Sequence, residues 1–252
     1  MSDITFISVF NEGCIELGIN HLESLKKCGI TNYIAYVTDK ESYNRLLNNY
    51  NVVFIDGTNT SNDKKDFGCE DFNKLSYIRY YIIKNYLNQN KPVWYMDVDT
   101  VVLQNLNKKY NEVLTKYKGY QLDALFQSDI NAICTGCMLL FPTNNTKILI
   151  DKIIQDKLSN ANDQMLLNYL LQEKTCKLSY DLFDLSEFPV GYLYFNNEDC
   201  VPVGNDLSEV IKKKNEYLTI QNKTIYFVHA NWMVGNETKI NNLKKYNLWF
   251  SK

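Results

Sequence analysis

The stretch VWYMDVDTVVLQNL, residues 93–106, puts two aspartates one residue apart directly after an apolar run. In extended chain alternate side chains share a face, so Asp97 and Asp99 project together while Val98 points away. Carboxylates held that close repel unless a cation sits between them. A hard divalent ion, Mn²⁺ or Mg²⁺, accepts oxygen ligands at ~2.0–2.2 Å and removes the repulsion. The pair can therefore hold a metal. It can also supply a carboxylate nucleophile, or merely cap the following turn. Spacing alone decides nothing, because 17 aspartates in 252 residues produce about one Asp-x-Asp by chance. Position carries the weight, since open α/β sheets bind ligands beyond the carboxyl ends of their strands.

A third ligand is available. The chain has two histidines. His21 falls in the first predicted helix and is expected at the surface or partly buried. His229 closes a short strand, 225–228, and opens HANWMVGNETK. Imidazole suits a manganese-like ion. Gly235 lets backbone approach a ligand closely. Lys239, near the start of a helix, adds positive charge where amide groups already favour anions. Metal, glycine and lysine together suit a diphosphate, against the plainer reading of a core histidine and an amphipathic tail. Cys134 and Cys137 form a single CxxC, which cannot close a structural zinc site alone and reads as two small core residues.

These groups need a scaffold. Strands are expected at 5–10, 33–37, 52–55, 93–96, 124–127, 137–141 and 224–228, and helices at 15–27, through 47, at 71–87, 146–157, 163–171 and 238–246. The clearest helix carries Phe72, Leu75, Ile78, Ile82, Ile83 and Tyr86 on one stripe. Residues 56–68 read as a loop, and 176–228 as short strands and loops with one helix near 207–214. Strand and helix alternate through the first half, which implies a largely parallel sheet covered on both faces.

Composition narrows the partners. Net charge is −2 with no long run of like charge, so neither a nucleic-acid binder nor a membrane-surface protein is indicated. No window approaches a transmembrane span, and no signal peptide is visible. Seven scattered cysteines fit a reducing compartment, so a cytoplasmic or otherwise soluble protein is expected. One domain over 1–252 is expected, in two halves that meet behind the Asp-x-Asp, 1–105 and 106–252.

Two enzyme classes use an Asp-x-Asp at a strand end. In haloacid-dehalogenase-like phosphatases, whose motif MDVDTV at 96–101 satisfies, Asp97 would be the nucleophile. In the other class, the DxD glycosyltransferases, the pair holds a divalent ion on the diphosphate of a nucleotide sugar. A phosphatase domain of that kind opens with its nucleophile strand, whereas here about 90 residues precede it. A non-catalytic nucleotide-sugar binder is a third possibility.

The ordered series VFNEG, FNKLSYIRYYII, VWYMDVDTVVLQNL, ALFQSD, TGCMLLF, NDQMLLNYL and HANWMVGNETKINNLKKYNLW resembles a GT-A glycosyltransferase. The resemblance is to the retaining glycogenin-like and plant rhamnogalacturonan-xylosyltransferase-like superfamily. It covers most of the chain and implies a Rossmann-like α/β fold with a mixed, mostly parallel sheet. It also implies transfer of a sugar, with retention, from a UDP-sugar or similar donor to a glycan, glycoprotein or small-molecule acceptor. Asp99 and His229 would contact Mn²⁺ or Mg²⁺, with Asp97 binding it directly or through water. Lys74, Arg79, Gly235 and Lys239 would reach the diphosphate or sugar, although Lys74 and Arg79 could equally be solvated charges on an amphipathic helix. Asn11, Gly13, Val37, Asp39 and Val98 would frame the nucleotide. Asp163 and Gln164 would face the anomeric carbon, unless Asp163 is a plain helix cap, and Gln127 and Asp129 would touch sugar or acceptor. The gap from His229 to Gly235 is longer than in glycogenin-type chains and resembles the xylosyltransferase-like branch.

Overall fold

The computed structural model describes residues 4–56, 70–156, 162–195 and 224–251. Its strands are β1 (Thr5–Phe10), β2 (Tyr33–Val37), β3 (Val52–Phe54), β4 (Val93–Met96), β5 (Thr100–Val102), β6 (Ala124–Ser128), β7 (Ile133–Leu140), β8 (Tyr180–Leu182) and β9 (Phe227–His229). Its helices are α1 (Ile15–Lys27), α2 (Lys40–Leu46), α3 (Glu70–Asn88), α4 (Leu106–Lys116), α5 (Asn144–Gln155), α6 (Asp163–Gln172), α7 (Gly191–Tyr194) and α8 (Asn236–Lys245).

Alternation along the strands sorts the core into two layers. Phe6 and Phe10 of β1, Trp94 and Met96 of β4, and Cys137 and Leu139 of β7 enter one apolar cluster. The intervening Ile7 and Val9, Val93 and Tyr95, and Met138 and Leu140 enter the other. Strands apolar on both faces must be covered on both. Leu17, Leu22 and Leu25 of α1 and Leu106, Tyr110 and Val113 of α4 cover the first face. Tyr80, Ile83 and Leu87 of α3, with Leu149 and Ile153 of α5 and Leu166, Leu167 and Leu170 of α6, cover the second.

One sheet runs β3-β2-β1-β4-β7-β6-β8, and β5 pairs with β9 in a second, two-stranded sheet. Pairings from β3 through β4 are parallel, β7 runs antiparallel to both its neighbours, and β8 is parallel to β6. The expected mixed, mostly parallel α/β fold is thus observed. Between Phe126 and Gln127 the β6–β7 register slips, from Phe126 opposite Met138 to Gln127 opposite Cys134. Such a bulge bends a strand and re-aims what it carries.

The structure amends the sequence reading in several places. β7 starts at Ile133 rather than 137, and the last strand lies at 227–229. Three elements were not anticipated, β5, α4 and α7, and β8 falls in the stretch read as short strands and loops. α4 has the signal, with Leu106, Tyr110 and Val113 on one face and Asn105 capping it through the Asn107 amide. The others have three or four residues, too few for a period to register. His21, expected near the surface, is fully buried because its ring faces the sheet from α1. The helix expected near 207–214 and most of the 56–68 loop lie outside the described residues. Among the described residues no helix is long and apolar enough to cross a membrane.

Candidate metal and nucleotide-sugar site

The Asp97–Asp99 turn leaves the carboxyl end of β4, and backbone pairing holds both its ends. The Asp97 amide donates to the Gly136 carbonyl at 2.8 Å, and the Ala230 amide to the Asp99 carbonyl at 2.8 Å. Pairing of β5 with β9 sets Thr100 opposite His229. A histidine far downstream therefore arrives beside Asp99 through three residues of antiparallel ladder. One ligand atom each from Asp97, Asp99 and His229 lies within 4.8 Å of the others, and no other such group occurs among the described residues.

The surroundings orient these groups. The Gln127 amide nitrogen donates to the carbonyls of Phe188 at 3.1 Å and Pro189 at 3.3 Å. Its oxygen is thereby aimed at His229 Nδ1, 2.8 Å away. Nδ1 then carries a proton, which leaves Nε2 facing Asp99: the protonated ring donates from Nε2 to the carboxylate, and the neutral ring offers its Nε2 lone pair to a cation. Asp99 Oδ1 lies 3.2 Å from His229 Nε2, and Oδ2 lies 2.7 Å from Lys239 Nζ. Burial pushes the Asp99 pKa up, but Lys239 and His229 together hold the carboxyl well below the usual range. Burial likewise depresses His229 and Lys239, and the pull of Asp99 leaves both raised. Two carboxylates and an imidazole form a donor set that suits a hard or borderline divalent ion.

Gly136, inside the CxxC, floors the site. A Cβ there would stand 2.3 Å from His229 Cε1 and 2.7 Å from Asp97 Oδ2. The close approach of His229 and Asp97 therefore requires glycine. Gly136→Ala must displace the imidazole or the carboxylate, and about tenfold or weaker Mn²⁺ binding is expected. Electron paramagnetic resonance titration of free Mn²⁺ measures this, and unchanged affinity would remove Gly136 from the site. The flanking thiols are buried and free. Cys137 accepts from Trp94 Nε1 at 3.3 Å, and Cys134 lies 3.7 Å from His229 Nδ1.

Arg79 lies buried between two acids. Its Nη1 donates to Asp97 Oδ1 at 3.0 Å and to the Thr135 carbonyl at 3.3 Å, and its Nη2 pairs with Asp163 Oδ2 at 2.8 Å. Its Nε donates to the Ser76 carbonyl at 2.8 Å. Two tyrosines complete the set: Tyr80 donates to Asp163 at 2.7 Å and Tyr95 to Asp97 at 2.5 Å. Arg79 is therefore no solvated surface charge. Asp163 is not the cap of α6 either, because Asn162 accepts from the Met165 amide at 2.8 Å and fills that position.

Gln164 accepts from the Thr135 amide at 3.3 Å and donates to Asp129 at 3.0 Å. Asp129 also accepts from Trp232 Nε1 at 2.6 Å and Asn231 Nδ2 at 3.3 Å, which joins α6 to the segment after β9. Gln127, expected against sugar or acceptor, lies fully buried behind His229 with its amide committed there. Gly235 precedes α8 with φ +87°, a left-handed value that glycine adopts without strain. Asn236 donates to the Gly13 carbonyl at 2.6 Å and ties α8 to the turn after β1. Asn11, Val37 and Val98 are buried near the strand ends. Asp39 caps α2 through the Ser42 amide at 2.7 Å and receives the Glu12 amide at 2.9 Å. Lys74 lies on α3, and its side chain is outside the described residues.

Sequence reasoning missed Tyr80, Tyr95, Thr100, Gly136, Asn231, Trp232 and Asn236. Tyrosines within apolar stripes were a usable signal, since a buried hydroxyl needs a partner. Gly136 lies inside the CxxC, whose spacing points only to small core residues.

A family model described as nucleotide-diphospho-sugar transferase matches residues 28–243. A UDP-D-xylose:L-fucose alpha-1,3-D-xylosyltransferase of Arabidopsis thaliana is 26% identical over 225 residues, covering 79% of this chain and 56% of that one. A second enzyme of that description and organism is 27% identical over 205 residues, covering 73% and 52%. The chain thus spans about half the length of the curated relatives it matches. Among solved structures, galactosyltransferase LgtC with donor and acceptor sugar analogs superposes with a TM-score of 0.58 at 12% identity, covering 98% of this chain and 97% of that one. Mouse xyloside xylosyltransferase 1 gives 0.56 at 9% identity, covering 90% and 98%. At these identities the likeness is one of fold, and the fold is that of GT-A glycosyltransferases.

Proposed function

We propose that this chain, which belongs to the nucleotide-diphospho-sugar transferase family, transfers a sugar from a UDP-sugar to a sugar-bearing acceptor, with a divalent ion and with retention of configuration. One observation carries the reading: Asp97, Asp99 and His229 converge within 4.8 Å at the strand ends where an α/β sheet binds ligands. The names of the plant relatives support UDP-xylose as the first donor to try. Residues 1–105 would bind the nucleotide, and 106–252 would bind sugar and acceptor. Family membership favours this reading over a phosphatase that uses Asp97 as nucleophile.

Transfer breaks the bond from the anomeric carbon to a diphosphate oxygen. Negative charge grows on the leaving group and positive charge on the sugar. Asp99 and His229 would ligate the ion, with Asp97 binding directly or through water. A bound Mn²⁺ or Mg²⁺ would supply Lewis-acid neutralisation of the diphosphate. Lys239 and the amide groups opening α8 would add fixed positive charge there. Arg79 would hold Asp97 and Asp163 apart at a set distance, while its own charge faces the site. Asp163, on the first turn of α6, would offset positive charge at the anomeric carbon, with Gln164 and Asp129 aligning the sugar.

Incubation with UDP-xylose, UDP-glucose or UDP-galactose and Mn²⁺ is expected to release UDP slowly even without acceptor, because water intercepts the activated sugar. Chromatography of the nucleotide reads this, and proton NMR of a transfer product is expected to show an α linkage. Asp163→Asn should lower transfer by about 10²-fold or more while circular dichroism stays native. A β-linked product would overturn retention. Hydrolysis of a phosphomonoester, lost on Asp97→Asn, would replace the transferase reading altogether.

A further inference from the structure

Behind the aspartate turn runs a buried chain of hydrogen bonds that the transfer chemistry does not use. His21, on α1, is fully buried. Its Nε2 lies 3.0 Å from Ser8 Oγ on β1, and its Nδ1 lies 3.0 Å from Thr100 Oγ1 and 3.2 Å from the Thr100 carbonyl. Thr100 Oγ1 donates to the Asp97 carbonyl at 2.5 Å. Counting protons gives the chain a direction. A hydroxyl has one proton, and that of Thr100 goes to Asp97, so Thr100 accepts from His21. Nδ1 therefore carries the imidazole proton, and Nε2 accepts from Ser8. Burial pushes the His21 pKa down to about 4 against weaker upward pulls from the Thr100 backbone, Asp99 and Asp97, which keeps the ring in the neutral form this chain needs.

We propose that Ser8, His21 and Thr100 are positioning residues that hold the Asp97–Asp99 backbone in the geometry in which both carboxylates meet a divalent ion. The inference rests on the metal reading of Asp97, Asp99 and His229 above. Two backbone groups of the turn, the Asp97 amide and the Asp99 carbonyl, are held by main-chain partners. The Asp97 carbonyl is held by the side chain of Thr100. That peptide plane sets the direction in which the chain leaves toward Asp99. A threonine hydroxyl can rotate away, and the proton that His21 Nδ1 donates to Thr100 Oγ1 opposes the rotation. His21 in turn cannot move, since α1 is packed into the core by Leu17, Leu22 and Leu25. Metal ligation tolerates errors of only about 0.2 Å. Partners that orient a metal site from behind are commonly worth about 10–100-fold in metal affinity.

The test is Mn²⁺ titration by electron paramagnetic resonance, with thermal unfolding measured in parallel on the whole chain. Thr100→Val keeps the shape and removes the hydroxyl, and Thr100→Ser keeps the hydroxyl. His21→Gln shortens the relay, and Asp99→Asn is the control for the site itself. Thr100→Val and His21→Gln are expected to weaken Mn²⁺ binding about tenfold or more. Thr100→Ser is expected to bind like wild type even if its Tm falls, which separates positioning from stability. Folded Thr100→Val with wild-type affinity would overturn the proposal and leave the relay as ordinary core packing. Wild-type protein that binds no Mn²⁺, or Asp99→Asn that binds it normally, would overturn the metal reading and the relay's role with it.

Discussion

Asp99→Asn is expected to lower divalent-dependent transfer by about 10²–10³-fold while the protein remains folded. Asparagine keeps the shape and one acceptor but removes the charge. In the native site that charge is shared by His229 Nε2 at 3.2 Å and Lys239 Nζ at 2.7 Å, and Asp99 is 9% exposed, so water screens little of it. The variant would offer a cation one carboxylate where the native turn offers two, beside a lysine that repels it. His229→Ala should act in the same direction, because it removes a ligand without altering the turn. Mn²⁺ titration and UDP release from a UDP-sugar read the two consequences separately. Full Mn²⁺-dependent activity in both variants would show that the metal binds elsewhere or not at all.

Arg79→Met carries the largest expected cost in stability, about 3–5 kcal/mol. The guanidinium lies between Asp97 and Asp163 and makes four contacts with carboxylates and carbonyls. Burial opposes the charge, and Asp163, Tyr95 and Asp97 more than offset it, so Arg79 stays protonated. Methionine fills much of the volume and leaves two acids facing each other without a counter-charge. At ~2–4 °C per kcal/mol for a chain of this size, Tm should fall by roughly 10 °C. Arg79→Lys should recover little, since one ammonium cannot span both acids and two carbonyls. Adding Asp163→Asn to Arg79→Met should recover part of the loss by removing one buried charge. A Tm within 2 °C of wild type for the single variant would mean that the network contributes no net stability.

Local pattern was enough for part of this architecture. Short apolar runs marked β1, β2 and β4 to the residue, and helical stripes marked α1, α3 and α6 within about a residue. The aspartate pair stood out because an apolar run ended on it. Asp163-Gln164 and the Gly235–Lys239 segment stood out by order along the chain and by resemblance. The strand β5 was illegible, β8 was legible only within a stretch of short strands and loops, and β9 was misplaced, because three residues contain too little periodicity and are held by pairing rather than propensity.

The amino-acid sequence thus determined which residues are chemically able to form the site, and on which elements most of them lie. Tertiary structure alone decided how they are paired. His229 meets Asp99 through the β5–β9 register, which no local window contains. Arg79 bridges Asp97 and Asp163 because α3 and α6 pack on one sheet face. Gly136 floors Asp97 and His229 because the β6–β7 bulge carries it there. Gln127 and His21 turn inward to hold other residues, although their types suggested contact with ligand or solvent. The physical reason is the same throughout: periodicity reports which face of an element is buried, whereas a site is made of contacts between elements, set by register and packing over long stretches of chain.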